Sequence, residues 1–261
     1  MSLKNFQLQV WSLAVNVWME SIRDRLVHVL TGTGIIMLFF SLVLGDMTLG
    51  GHERVIQNTG FWVLGIWGLL AVMYLGSNIL RHEFKLKTVY LIVSRPVNRQ
   101  TFLIGKFFGM VLVLTSLFIA LFLTWVFLMG MVKVDFTSKH LIAVVFIYGE
   151  WLLLAAISLF FASFTSPMLH NFFLVAVTFL GHWSNDIRVF SENAKEPALK
   201  IILKGIYYAL PNLEALSFRE AALYNETIPW SLILIGTTTQ VFWLTAALVA
   251  AILIFMQRRL L

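Results

Sequence analysis

Glu150 is the residue type most out of place in this sequence, standing alone in the apolar stretch IYGEWLLLA. An acid near the middle of a membrane-spanning helix costs roughly 2.5–3.5 kcal/mol on insertion scales, so it faces a partner group or a wet cavity. From sequence both uses stay open: lining or gating a pathway, or an inter-helix hydrogen bond such as one at a dimer seam. The chemistry around it is sparse. His28, His52, His82, His140, His170 and His182 form neither H-E-x-x-H nor a close pair, and no serine sits in a nucleophile elbow. Gly105-Lys106 lacks the earlier glycine and the hydroxyl residue of a phosphate loop. Cysteine is absent, which excludes disulfides, thiolate metal sites and catalytic thiols. The 10 methionines are scattered, as packing residues are, and not grouped as soft metal ligands. The chain is expected to be no enzyme and to bind no metal or cofactor itself.

A second concentration of chemistry is positive charge. The stretch 81–106, RHEFKLKTVYLIVSRPVNRQTFLIGK, carries Arg81, Lys85, Lys87, Arg95, Arg99 and Lys106 between two long apolar runs. Glu83 to about Leu91 suits a short helix, and Pro96 breaks it by removing a donor and restricting Arg95. A further helix is expected to start near Asn98. The stretch reads as a stiff, bent, basic connector.

These residues sit in a chain that is 59% hydrophobic and 12% charged over 261 residues. A soluble domain devotes about a quarter of its residues to charge. Six runs, 26–45, 60–80, 107–131, 141–164, 168–185 and 230–256, are close to the length needed to cross about 30 Å of hydrocarbon. They are continuously apolar and do not alternate as barrel strands do. The expected fold is an all-α polytopic membrane protein with six transmembrane helices, forming one membrane domain over 1–261. Residues 1–25 repeat apolar positions at helical spacing (Phe6, Val10, Leu13, Ala14, Val17, Trp18), which suits an amphipathic interfacial helix. No cleavable signal is expected there.

Topology follows from the cations. Lys4, Arg23, Arg25, the connector's six and the two near the C-terminus share one side; Arg54, Lys133, Lys139 and five in 186–229 share the other. The excess places both termini and the connector in the cytoplasm. The formal net charge of +6 is thereby explained by orientation, and no nucleic acid is expected. The extracytoplasmic segment 186–229 also carries six acids and an apolar face at Leu199, Ile202, Leu203 and Ile206 between Pro197 and Pro211. It is expected to form an outer amphipathic or re-entrant helix before the last span. In that span Thr237, Thr238 and Thr239 are able to bond across helices or to their own backbone. Thr237 and Thr238 join Glu150 as candidates for a pathway or dimer seam. Trp62, Trp183 and Trp230 lie near span ends, where an aromatic belt would place them.

The connector, read as E-x4-T-x5-SRPVNR-x5-GK, resembles the first cytoplasmic loop of type-2 ABC-transporter permeases. The match lies on Glu83, Thr88, Ser94, Pro96, Arg99, Gly105 and Lys106, with Lys87 departing from the small residue common before the threonine. YYALPNLE, from Tyr207 to Glu214, resembles the branch related to the permease of the nitrous-oxide-reductase maturation transporter. The resemblance implies a membrane-spanning subunit in the bacterial inner membrane, a second permease copy, and two copies of a separate ATPase that bind ATP and Mg. The connector would be a cytoplasmic coupling helix between spans two and three, acting through Glu83, Lys85, Lys87, Thr88, Arg95, Pro96, Arg99 and Lys106.

Three functions are consistent with this reading: the permease of an ATP-driven exporter, an energy-transducing subunit that drives a periplasmic partner without moving cargo, and an ATP-independent carrier or channel. A single membrane acid and no inverted repeat speak against the third.

Overall fold

A computed structural model describes residues 3–48, 50–79 and 98–257, and these fold into helices joined by short turns. Short polar and proline signals set the boundaries. Asp24, in an extended conformation, accepts the Leu26 N–H at 2.9 Å and so separates α1 (Leu3–Ile22) from α2 (Arg25–Asp46). The other Asp24 oxygen receives the Tyr74 hydroxyl, tying this break to α3 (His52–Ile79). After α4 (Arg99–Met131), Lys133 takes a left-handed φ of 60° and turns the chain toward α5 (Ser138–Ala162). Thr137 N–H donates to His140 Nδ1 at 3.2 Å, which leaves the His140 Nε2 proton to face Gln57 Oε1 at 3.3 Å. The start of α5 is thereby pinned to α3.

Pro167 occupies the first turn of α6 (Pro167–His182), where its missing N–H costs nothing. Beyond it come α7 (Ser184–Asn193), α8 (Pro197–Ala209), a 3-10 turn at Glu214–Leu216, α9 (Arg219–Leu223) and α10 (Trp230–Gln257). Five helices, α2, α3, α4, α5 and α10, are long and apolar enough to cross a membrane. The fold is thus all-helical among the described residues and compatible with a multi-pass membrane protein. The run expected as a fifth span coincides with α6, which is apolar but only 16 residues long. That is about 24 Å of helix, short of a hydrocarbon core of about 30 Å.

α3 and α5 hold the middle, while α2 and α10 present most of their surface outward. Three tryptophans lock the packing by one repeated device. Trp67 Nε1 donates to the Leu30 carbonyl at 2.8 Å, Trp125 Nε1 to that of Ile56 at 3.1 Å, and Trp151 Nε1 to that of Leu64 at 2.9 Å. Each acceptor lies four residues before a glycine: Gly34, Gly60 and Gly68 respectively. A helical side chain leans toward the helix N-terminus and covers the carbonyl to which its own N–H is bonded. Glycine leaves that oxygen's second lone pair open, and a methyl group at Gly60 or Gly68 would overlap the indole ring. Trp125 and Trp151 are fully buried, so neither ring has room to move aside.

α4, at 33 residues, is about 50 Å long and overshoots the bilayer. α1 packs against its first half. Leu13 lies over Gly105, Val17 over Gly109, and Trp18 Nε1 donates to Ser116 Oγ at 3.0 Å. Ala14 and Val17 are buried in this contact, while Leu8 and Trp11 face outward.

Trp151→Phe, which keeps the ring and loses the donor, is expected to lower stability by about 1 kcal/mol. Gly68→Ala is expected to cost more, because it displaces the whole indole. Thermal unfolding in detergent, followed by circular dichroism, ranks the two; a Gly68→Ala protein as stable as the parent would refute the packing argument.

Candidate functional site

Glu150 lies halfway along α5 and is buried. Two cations from different parts of the chain meet it. His182, at the last residue of α6, brings Nε2 within 3.4 Å of Oε1, and Arg219, at the first residue of α9, brings Nη2 within 3.8 Å of Oε2. The local fold explains both arrivals. Because α6 stops at His182, its end lies level with the middle of α5. The chain then returns to this level, with the Leu213 N–H donating to the Gly181 carbonyl at 3.0 Å. Leu213, Leu216, Phe218 and Ala222 are buried, and the Phe218 ring stands 4.6 Å from that of Phe146 on α5. Arg219 can lie across α3 because Gly65 has no side chain there.

The hydrogen-bond pattern fixes a proton in this cluster. His182 Nδ1 lies 3.0 Å from the Thr178 carbonyl, which can only accept, so Nδ1 carries a hydrogen. Nε2 then faces Glu150 Oε1 at 3.4 Å, with the Arg219 guanidinium on the far carboxylate oxygen. Arg219 Nε is itself buried without a hydrogen-bond partner. The cluster has no nucleophile and no second carboxylate, and among the described residues no group of His, Asp and Glu is arranged to hold a metal. Its chemistry is charge pairing among α5, α6 and α9.

Of the other residues singled out from the sequence, Glu83, Lys85, Lys87, Thr88, Arg95 and Pro96 lie outside the described residues. Arg99 and Lys106 are described and sit in the first turns of α4. Arg99 Nη1 donates to the Met256 carbonyl at 3.2 Å, Gln100 Nε2 lies 3.2 Å from Met256 Sδ, and the Phe102 and Phe255 rings stack at 6.1 Å. These contacts join the start of α4 to the end of α10. Lys106 is buried, its Nζ 5.5 Å from the centre of the Phe102 ring. Thr237 and Thr238 are exposed on α10 and donate to their own helix, at Ile233 (2.8 Å) and at Leu234 and Ile235 (both 2.9 Å). They are not brought together with Glu150. The residue of α10 that does cross to α5 is Gln240, whose Nε2 donates to the Phe146 carbonyl at 3.0 Å beside Gly149.

No protein-family model matches the chain, and no curated protein matches it. The resemblance to type-2 ABC permeases therefore stands on the connector residues and on YYALPNLE, without a match to support it.

Sequence reasoning selected Glu150 and missed its partners. A lone acid in an apolar run signals that a cation must meet it, but nothing in the sequence singles out Arg219 and His182 from the other cations. Removing either charge strands the other in a buried site, at a cost of about 3–5 kcal/mol. Glu150→Leu and Arg219→Leu are each expected to destabilise strongly and the double variant to recover part of the loss, giving a coupling of about 0.5–3 kcal/mol in a thermal-unfolding cycle. Strict additivity would show that the pair is not coupled.

Proposed function

We propose that the chain is the membrane-spanning permease subunit of an ATP-driven exporter, coupled to a separate ATPase at the 81–106 connector. In this reading α2 to α6 and α10 are the six spans, α1 is an amphipathic helix at the cytoplasmic interface, and both termini face the cytoplasm of a bacterium. Two copies pair in the inner membrane, and each sits on its own ATPase, which supplies the ATP and Mg chemistry.

The observation that carries the proposal is the attachment of the connector's far end. A coupling element must deliver displacement to the spans, and the residues that follow the proline break are wedged against the last span and against α1. Arg99 and Phe102 grip the last turns of α10, and Gly105 seats α1 on α4. Movement at the connector would therefore reach α1, α4 and α10 together. Its cations suit an acidic cleft on a partner, through charge-assisted hydrogen bonds. The Glu150 cluster supports the transport reading in a second way, since it holds the outer segment and α6 to α5 with a bond that one proton or one displaced cation can weaken.

Co-expression with an ABC-type ATPase encoded beside this chain is expected to yield a complex that co-purifies and hydrolyses ATP. Charge reversal at Arg95 together with Pro96→Ala is expected to abolish co-purification while leaving the thermal transition of the isolated chain unchanged. Undiminished co-purification would reject the docking site. Stimulation of hydrolysis by a cargo marks an exporter; stimulation by a periplasmic protein alone marks the energy-transducing alternative. Full activity of the purified chain with no nucleotide-hydrolysing partner would reject both.

A further inference from the structure

The hairpin of α7 and α8 carries an exposed apolar stripe, formed by Val189, Phe190, Leu199, Ile201 and Ile202. The faces that the two helices turn toward each other are polar. Arg188, Ser191 and Glu192 follow one another at i, i+3 and i+4 on α7, opposite Lys204, Tyr207 and Tyr208 on α8, and together they line a cavity of about 320 Å³. In water such a stripe would be turned inward, since exposed apolar area costs about 25 cal/mol per Å². The hairpin suits lipid against the stripe and a polar guest within.

The lining specifies the guest. Arg188 Nε bonds Glu192 Oε1 at 3.2 Å, and Glu192 and Tyr207 beside it both push the Arg188 pKa upward, so the guanidinium is a fixed cation already held in place. Glu192 balances one of the two positive charges, which leaves Lys204 as net positive charge at the cavity. Ser191 is 2% exposed, and its hydroxyl is buried with no hydrogen-bond partner. A buried hydroxyl left unpaired costs about 1–3 kcal/mol, so the site is incomplete without an acceptor. We propose that this cavity binds a phosphate group, with Lys204 and Arg188 supplying charge and Ser191 and Tyr207 supplying hydroxyl donors. The apolar stripe makes the diester of a membrane phospholipid the natural source, with free phosphate as the other.

The proposal is independent of any ATPase and is tested on the purified chain alone. Binding of fluorescent phosphatidylglycerol in neutral detergent is measured against diacylglycerol of equal chain length, which lacks the phosphate, with inorganic phosphate as competitor. Lys204→Gln and Ser191→Ala are both expected to weaken phosphatidylglycerol binding, the lysine variant by about tenfold, as loss of a charged hydrogen-bonding partner implies. Lys204 is exposed and Ser191→Ala removes one atom, so both variants keep the fold. Competition by inorganic phosphate identifies a soluble source; its failure to compete identifies the lipid. Equal binding of both variants and the parent, or no preference for phosphatidylglycerol over diacylglycerol, overturns the site.

Discussion

The architecture depends on bringing helices close enough that one helix's side chains reach another's backbone. In hydrocarbon no hydrophobic force drives helices together, because lipid tails are as apolar as leucine. Contact must come from packing and from hydrogen bonds for which lipid offers no substitute. The three indole N–H groups meet this need at Leu30, Ile56 and Leu64, each at a carbonyl that a glycine one turn later leaves uncovered. Each bond demands that two helices sit at one height and one rotation, so together they fix the heights of α2, α3, α4 and α5. Gln240 extends the principle to α10, at the Phe146 carbonyl beside Gly149.

That fixed frame is what makes the Glu150 cluster meaningful. With α3 and α5 in register, Gly65 opens a gap beside Glu150 into which Arg219 lies, and α6 ends at the height where His182 can reach the same carboxylate. Arg219, from a segment that sequence alone would place in the outer aqueous layer, and His182, from the end of the expected fifth span, thus come to lie level with the middle of a helix.

Much of this was legible in the residues and some was not. Long uncharged runs announced α2 to α5 and α10, and Pro197 bounded the expected amphipathic helix where the structure starts α8. The lone acid at 150 announced a partner. The partners were not legible, because pairing across 32 and 69 residues depends on how deep the intervening chain sinks, which hydropathy does not encode. The run 168–185 read as one span because Trp183 and Ser184 continue its weak polarity, whereas the helix closes at His182 and a new one with a different polar face begins. Gly34, Gly60 and Gly68 looked like ordinary membrane glycines; only the indoles opposite them give their spacing a purpose.

The shortness of α6 has a consequence for how the chain is made. A segment of 16 residues is a weak candidate for insertion by itself, and the Gly181 carbonyl near its end finds its additional donor at Leu213. While residues up to about 200 are being synthesised, that end of the helix lacks both its hydrogen-bond donor and the Arg219 side chain that completes the pairing below it. This short apolar helix is held at its end by residues that come later in the chain, Leu213 directly and Arg219 through Glu150 on α5.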